Sequence, residues 1–181
     1  KTALCKRQGS VVTEIRSWAG LDLMQTVGRV VAEYEALLPS KQPREILVDS
    51  IGLGSGVVDR LRELELPVRG INVAEAPSMG GTYLNLRSEL WFKTKGWFED
   101  RACKLPKDDQ LLAELTGIRY SFTSSGKMKA ESKDEMRKRG LASPDLADAL
   151  CLTMASDAAT ALSGAFSSWK GEIKRNLRGI A

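Results

Sequence analysis

Apolar and polar positions along this chain follow two different periods, which predicts a mixed α/β fold. Partial alternation over residues 2–8 and 11–18, with Gly9 between them, predicts a β-hairpin. From residue 22 to residue 38 the apolar residues return at helical spacing, and Pro39 marks the expected end of that helix. The amino-terminal part is therefore predicted as a hairpin followed by an amphipathic helix.

A strand–helix–strand unit is predicted next. The apolar run EILVD at 45–49 is typical of a buried strand, residues 56–65 return to helical spacing, and VRGINVA at 68–74 is the second strand. This order predicts two parallel strands joined by a crossover helix. The glycine-rich segment SIGLGSG at 50–56 is predicted as a turn whose glycines allow a ligand to approach the backbone.

The rest of the chain is predicted as four helices and a second hairpin. The helices are expected at 84–101, at 106–115 with Pro106 opening it, at 133–140 and at 144–162, and the hairpin at 119–132. Helical spacing assigns the aromatic residues of the first of these helices to the core: Trp91, Phe92, Trp97 and Phe98. We expect one domain over residues 1–163 and a basic tail over 164–181.

Composition excludes several kinds of chemistry. The 181 residues contain no histidine, which excludes Ser-His and Cys-His catalysis and imidazole metal ligands. The three cysteines, Cys5, Cys103 and Cys151, have neither zinc-site nor redox-pair spacing, and we expect reduced, mostly buried thiols. Neither a signal peptide nor a membrane span is predicted. Because the chain begins at Lys1, we expect it to be part of a longer protein.

Positive charge is concentrated in one region. The net charge is +4, and six basic residues fall within thirteen positions: Lys127, Lys129, Lys133, Arg137, Lys138 and Arg139. Such a group is either a solvated charged face, diluted by the neighbouring acids, or a clamp for a phosphate backbone. The chemistry of the acidic residues that follow this group in the sequence decides between the two interpretations.

Asp49 ends the first strand of the predicted parallel pair. Ligand sites in α/β proteins lie at the carboxyl ends of such strands, so Asp49 is a candidate site residue. The alternative is that its carboxylate only caps the following turn. The glycine-rich segment lacks the Lys-Ser/Thr ending of a nucleotide-binding loop and does not match a dinucleotide fingerprint.

Asp145 and Asp148 lie three residues apart at the start of the last helix, so their carboxylates share one face. Acids in a first helical turn also favour the helix dipole without any further role. Asp148, however, lies inside the apolar stretch LADAL, where a carboxylate needs a partner. With Asp49 these acids suit a site for two Mg²⁺ or Mn²⁺ ions, which hydrolyses phosphodiesters without histidine.

Three segments resemble the nuclease domain of phage terminase large subunits. ESKDEMRKRGLASPDLADALCLTMA at 131–155 resembles the family's terminal motif, and ILVDSIGLGSGVVDRLREL at 46–64 its second acidic motif. The stretch at 85–115 resembles the region between those motifs. The resemblance implies a ribonuclease-H-like α/β fold, with a mixed sheet flanked by helices and an auxiliary β-hairpin.

The resemblance also implies a function. It implies a metal-dependent endonuclease that cuts concatemeric viral double-stranded DNA during packaging into the procapsid, using two Mg²⁺ or Mn²⁺ ions. Asp49 matches the second catalytic acid and Asp145 the acid of the last helix, with Asp148 as an additional ligand. Lys133 is a candidate contact to substrate phosphate or to the water held by the metal. Lys127, Lys129, Arg137, Lys138 and Arg139 are candidate DNA contacts.

Further expectations follow from the same resemblance. The family places its first catalytic aspartate on a central strand before the segment matching KTALCKRQG, so no residue of this chain is assigned that role. Expected partners are an upstream packaging ATPase domain, the portal and the small terminase subunit, in the host cell cytoplasm. Two alternatives stay open: a resolvase- or transposase-type nuclease, and a non-catalytic DNA-binding fragment.

Overall fold

The computed structural model describes residues 1–156, and the predicted basic tail at 164–181 lies outside them. Within residues 1–156, six strands form three separate two-stranded sheets: β1 (Thr2–Gln8) with β2 (Val11–Trp18), β3 (Ile46–Asp49) with β4 (Val68–Ile71), and β5 (Tyr120–Phe122) with β6 (Met128–Ala130). The same part of the chain contains six α-helices: α1 (Leu23–Glu35), α2 (Leu53–Glu63), α3 (Leu86–Glu99), α4 (Asp109–Gly117), α5 (Lys133–Lys138) and α6 (Asp145–Leu152). Short 3₁₀ turns cover Pro39–Lys41 and Thr153–Ala155.

Both predicted hairpins are confirmed. The strands β1 and β2 pair antiparallel with one irregularity between Lys6 and Arg7, and β5 pairs with β6 around a turn that contains Gly126. In the first hairpin Val12 and Ile15 are both buried although they lie three residues apart, because the irregularity leaves Thr13 as an extra residue between them. The prediction of a parallel strand pair is also confirmed, since Ile46 pairs with Val68 and Asp49 with Ile71.

The glycine-rich segment after β3 is not the open turn that the sequence predicted. The helix α2 begins at Leu53, three residues earlier than expected, and takes up most of this segment. A Cβ on Gly54 would lie 1.7 Å from the carbonyl oxygen of Asp49, and Gly52 has a φ of +63°. Glycine is therefore needed so that α2 can start directly against the end of β3. The chain itself fills the space close to Gly54 that was predicted for a ligand.

The helix α6 lies at the centre of the main core. It packs against β1, β2, β3, α3 and α4, and Leu146, Ala147, Leu150 and Cys151 are buried. Burying one leucine side chain contributes about 1.5–3 kcal/mol. This packing fixes the position of the acidic first turn of α6 relative to both the first hairpin and the parallel strands.

The last helix is shorter than predicted within the described residues. It ends at Leu152 and continues as a 3₁₀ turn to Ala155; residues 157–162 of the predicted helix lie outside the described part. Arg7 contributes to this ending, because its guanidinium donates to the Oγ1 and carbonyl oxygen of Thr153 at 2.8 and 2.7 Å. The side chain of Arg7 thereby satisfies backbone that a longer helix would bond internally.

Helix boundaries elsewhere shift by a few residues. The helix α4 starts at Asp109 rather than at Pro106, because Asp108 accepts a bond from the amide of Leu111 at 2.7 Å as the N-cap. The helix α1 ends at Glu35, before the predicted Leu38. Among residues 1–156, no helix has both the length and the apolar character of a membrane span.

The cysteines are free thiols, as predicted. Cys151 is buried, and Cys5 and Cys103 are half-buried. Burial raises the pKa of Cys5 to about 12 and also raises the pKa of Cys151. These two thiols are therefore protonated at neutral pH and act as small apolar core groups.

Candidate functional site

Asp49 lies where the sequence placed it, at the carboxyl end of β3. Its carboxylate is exposed, and one oxygen (Oδ1) accepts a hydrogen bond from the amide of Ile51 at 3.1 Å. This bond is the turn-capping interaction that was the alternative explanation for the residue. It occupies one lone pair of one oxygen, so the carboxylate keeps further acceptor positions toward solvent.

Asp145 and Asp148 share the first turn of α6. Pro144 stands at the N-cap without a side-chain cap, and the hydroxyl of Ser143 donates to Oδ1 of Asp145 at 2.7 Å. Only 17% of the Asp145 side chain and 21% of the Asp148 side chain are exposed. Two carboxylates so little exposed and on the same helical face require nearby positive charge.

Asp148 obtains that charge from two other elements. Its Oδ1 accepts bonds from the guanidinium of Arg87 at 3.1 Å and from the indole nitrogen of Trp91 at 2.9 Å. Its Oδ2 lies 3.1 Å from the ammonium of Lys133 but is buried without a directed hydrogen bond among the described residues. We interpret the Lys133 contact as an ion pair of poor hydrogen-bond geometry. Oδ1 of Asp148 thus accepts two hydrogen bonds, whereas Oδ2 accepts no directed hydrogen bond among the described residues and faces a cation.

Lys133 joins the two carboxylates of α6. It is the first residue of α5, where Ser132 and Glu135 form a capping box that fixes the start of the helix. From there its ammonium lies 3.1 Å from Asp148 and 4.0 Å from Asp145. The structure therefore brings together three of the four residues predicted for catalysis.

Asp49 is not in contact with that group. Among residues 1–156, no three histidine, cysteine, aspartate or glutamate side chains are placed to share a metal ion. The helix α6 does pack against β3, so both acidic segments belong to one packed unit. The site therefore has two parts: Asp145 and Asp148 on α6 with Lys133 on α5, and Asp49 at the end of β3.

Sequence reasoning missed Arg87 and Trp91. They stand four residues apart on α3, on the face that meets α6. Arg87 also donates to the carbonyl oxygen of Glu131 at 2.6 Å, and its guanidinium lies 5.7 Å from the Trp91 ring centroid. The position of Asp148 in an apolar stretch predicts that its carboxylate has a positively charged partner. The residues around Arg87 in the sequence do not identify Arg87 as that partner.

The predicted DNA contacts divide into paired and unpaired residues. Lys129 binds Glu135 at 2.7 Å and Arg139 binds Glu131 at 2.6 Å, while the exposed Arg137 pairs with Asp134 at 3.0 Å. Lys127 and Lys138 have no carboxylate of the described residues within 4.0 Å. These two lysines, one on each side of the β6–α5 connection, carry the charge that is open to a polyanion.

The paired acids give the domain a defined acid sensitivity. The Arg139 guanidinium lowers the pKa of Glu131, and hydrogen bonds from Lys129 and Ser132 lower the pKa of Glu135 to about 2. An unfolded glutamate has a pKa near 4.3. Both folded values lie below it, so these pairs stabilise the protein fully above about pH 5 and lose their effect as pH falls toward 2.

We therefore expect the free energy of unfolding to be level between neutral pH and about pH 5, and to fall below about pH 4.5. Urea unfolding at a series of pH values measures this. In the Glu131→Gln variant the fall should be shallower, and in Glu63→Gln, a control on the exposed face of α2, it should be unchanged. An equal slope in Glu131→Gln and wild type would contradict the assignment.

Comparison with solved structures identifies the same architecture in phage proteins. A mutant nuclease domain of the large terminase subunit gp2 of bacterial virus Sf6, crystallised with manganese and β-thujaplicinol, matches with a TM-score of 0.70 and 21% identity over 84% of this chain and 80% of that chain. A calcium-bound mutant of the same domain gives 0.70 and 22% over 84% and 81%. The large terminase nuclease of thermophilic phage G20c, with bound magnesium, gives 0.60 and 16% over 83% and 78%.

Comparisons by sequence give no such match. No protein-family model matches the chain, and no curated protein does. At 16–22% identity the structural likeness establishes the fold. The predicted resemblance and α/β fold class are confirmed at that level: the chain has the α/β fold of phage large-terminase nuclease domains, with the strands of the described residues arranged in three small sheets.

Proposed function

We propose that this chain is a metal-dependent endonuclease that cuts concatemeric viral double-stranded DNA during genome packaging. The observation that carries the proposal is the acid pair Asp145 and Asp148 facing Lys133, within a fold shared with terminase nuclease domains crystallised with manganese or magnesium. In the full packaging motor we expect an ATPase domain, the portal and the small terminase subunit as partners, in the host cytoplasm.

The donor set of the acid pair fits a hard divalent cation. Asp145 and Asp148 offer carboxylate oxygens, which Mg²⁺ and Mn²⁺ prefer, and the buried Oδ2 of Asp148 lacks a directed hydrogen bond. When bound, such an ion supplies Lewis-acid stabilisation of charge on the phosphate oxygens. In the proposed two-ion site, Asp49, Asp145 and Asp148 would be the ligands.

The protein's own groups have separate tasks in this proposal. Arg87 and Trp91 hold the Oδ1 of Asp148, which orients its other oxygen toward Lys133. The Lys133 ammonium is positioned to contact a phosphate oxygen, since its side chain is 43% exposed although it pairs with both acids. Lys127 and Lys138 would hold the DNA backbone beside it.

Plasmid cleavage tests the proposal. Supercoiled DNA is incubated with the protein in Mn²⁺, Mg²⁺ or EDTA, using wild type, Asp49→Asn and the control Asp59→Asn on the exposed face of α2. Metal-dependent nicking and linearisation by wild type and Asp59→Asn, with loss in Asp49→Asn, would support it. Cleavage that survives EDTA, or that is unchanged in Asp49→Asn, would contradict the metal site. Preference for a four-way junction over linear duplex would indicate a resolvase-type enzyme.

The division of the basic residues leads to a prediction about DNA affinity. Lys127→Ala and Lys138→Ala should each lower the slope of log binding constant against log salt by about 1, since each loses one phosphate contact. Lys129→Ala should change it less, because Glu135 already holds its ammonium. Fluorescence anisotropy with a labelled duplex at several salt concentrations measures the slopes, and Lys41→Ala is the distant control. Equal slopes for Lys127→Ala and Lys41→Ala would contradict the assignment.

A further inference from the structure

A group of four packed aromatic rings reaches from α3 and the loop before it to β5 of the second hairpin, and the two rings on β5 are exposed. We name it the aromatic edge: Tyr83, Phe92, Tyr120 and Phe122. Successive ring centroids lie 5.5, 5.4 and 6.0 Å apart. Tyr120 is 60% exposed and Phe122 is 64% exposed, although both are large and apolar. Single exposed apolar residues are common on protein surfaces, whereas neighbouring exposed apolar residues indicate an interaction surface.

The backbone of β5 is also open. Arg119 and Thr123, which flank β5, accept from and donate to the backbone of Glu131 and Lys127, which flank β6. Ser121 pairs with Lys129 between them. In antiparallel pairing the intervening residues direct their amides and carbonyls away from the partner strand. Those residues are Tyr120 and Phe122, for which no backbone hydrogen bond outside the β5–β6 pairing is found among residues 1–156.

The other side of this small sheet is already occupied. Met128 of β6 donates to the carbonyl of Thr82 at 2.8 Å and accepts from the amide of Leu84 at 3.0 Å. The free edge is therefore β5, and it presents alternating backbone donors and acceptors beside two exposed rings. This combination is the receiving surface for an added strand, in which the backbone provides affinity and the side chains provide specificity.

Ring geometry favours a polypeptide over nucleic acid bases. Phe92 and Tyr120 meet at 81° and Tyr120 and Phe122 at 76°. Successive stacked bases need ring faces that are roughly parallel to one another. Perpendicular rings instead leave recesses between them, which the branched side chains of a strand can fill.

Charge indicates the chemistry of the partner segment. Arg119 precedes β5 and Lys127 follows its turn. Among the described residues neither side chain forms an ion pair, and Arg119 bonds to the Glu131 carboxylate through its backbone amide, at 3.0 Å. A second copy of the chain would place these like charges against each other, and its own net charge is +4. A three-residue edge also buries far less than the roughly 1,200–2,000 Å² of a stable interface. An acidic segment of another protein fits better.

We propose that β5 is a docking edge for an extended segment of a partner protein, with apolar side chains at alternating positions and acidic residues at its ends. The segment adds as a strand to β5 and places its apolar side chains between Tyr120 and Phe122. This inference goes beyond the nuclease function proposed above and does not depend on it.

The test uses the whole chain and a synthetic peptide. The peptide alternates valine with threonine and carries aspartate and glutamate at both ends; a second peptide has proline at its centre, which removes a backbone donor. Wild type should bind the first peptide at least about tenfold more tightly than the second. The double variant Tyr120→Thr/Phe122→Thr keeps strand propensity and should bind about tenfold more weakly than wild type.

Two further measurements keep the proposal falsifiable. Leu112→Thr, which removes an exposed apolar side chain from α4, should bind the peptide like wild type. Peptide binding should slow hydrogen exchange at the amides of Tyr120 and Phe122. Equal affinity for both peptides, or no added protection at these amides, would overturn the proposal. The proposal would also be overturned if an oligothymidylate displaced the peptide from β5. It would be overturned as well if the wild-type chain self-associated and the Tyr120→Thr/Phe122→Thr variant did not.

Discussion

Replacing Asp145 by asparagine is expected to lower metal-dependent DNA cleavage by at least about 100-fold. Losing groups that merely orient a metal ligand already costs about 10–100-fold, and a direct ligand should cost no less. The fold should tolerate the change: Asn keeps the oxygen that accepts the Ser143 hydroxyl, and the lost first-turn charge is worth about 0.3–1 kcal/mol. Plasmid cleavage rates and urea unfolding of the same preparation measure both effects.

Asp148→Asn, in the same helical turn, should differ from Asp145→Asn because it affects stability as well as cleavage. It removes the negative charge opposite both Arg87 and Lys133, so we expect loss of cleavage together with about 2 kcal/mol of destabilisation. Asp134→Asn, an exposed acid on α5, is the matched control and should change neither. If Asp145→Asn cleaves DNA at the wild-type rate, Asp145 is not a metal ligand and the proposed site is wrong.

Replacing Arg87 by methionine is expected to reduce the free energy of unfolding by about 2–3 kcal/mol. Removing one partner of a buried ion pair costs about 3–5 kcal/mol, because the other charge stays buried. Here only 15% of the Arg87 side chain is exposed, but Lys133 still balances Asp148, and Nε of Arg87 is itself buried without a partner among the described residues. Because Lys133 remains opposite Asp148 and Nε of Arg87 already lacks a partner among the described residues, the expected loss of stability lies below the usual range.

A double-variant cycle separates the ion pair from simple packing. Arg87→Met with Asp148→Leu replaces both charges by apolar groups, and we expect it to be more stable than Arg87→Met alone. Arg62→Met removes an exposed arginine that pairs with Asp59 on α2, and should change stability by less than about 0.5 kcal/mol. A double variant that is the sum of its two single changes would show that Arg87 and Asp148 are energetically independent.

The sequence by itself determined the local elements, because their signals are local. Alternation and Gly9 specify the first hairpin, and the strand–helix–strand order from 45 to 74 specifies parallel pairing. The pair Asp145 and Asp148 is set on one face by its spacing in the helix. The core role of Trp91 also follows from helical spacing. Phe92, which the same spacing assigned to the core, is half-buried and packs in the aromatic edge instead.

The tertiary structure alone decided how the charged residues are used. Asp148 meets Arg87 and Trp91, which lie 61 and 57 residues away, and no short-range pattern encodes such a contact. The same holds for the six clustered basic residues: their charges look equivalent in sequence, but Lys129 and Arg139 are bound by acids and Lys127 and Lys138 are not. Periodicity reports which face of an element is apolar, and only packing decides which charge on another element it meets.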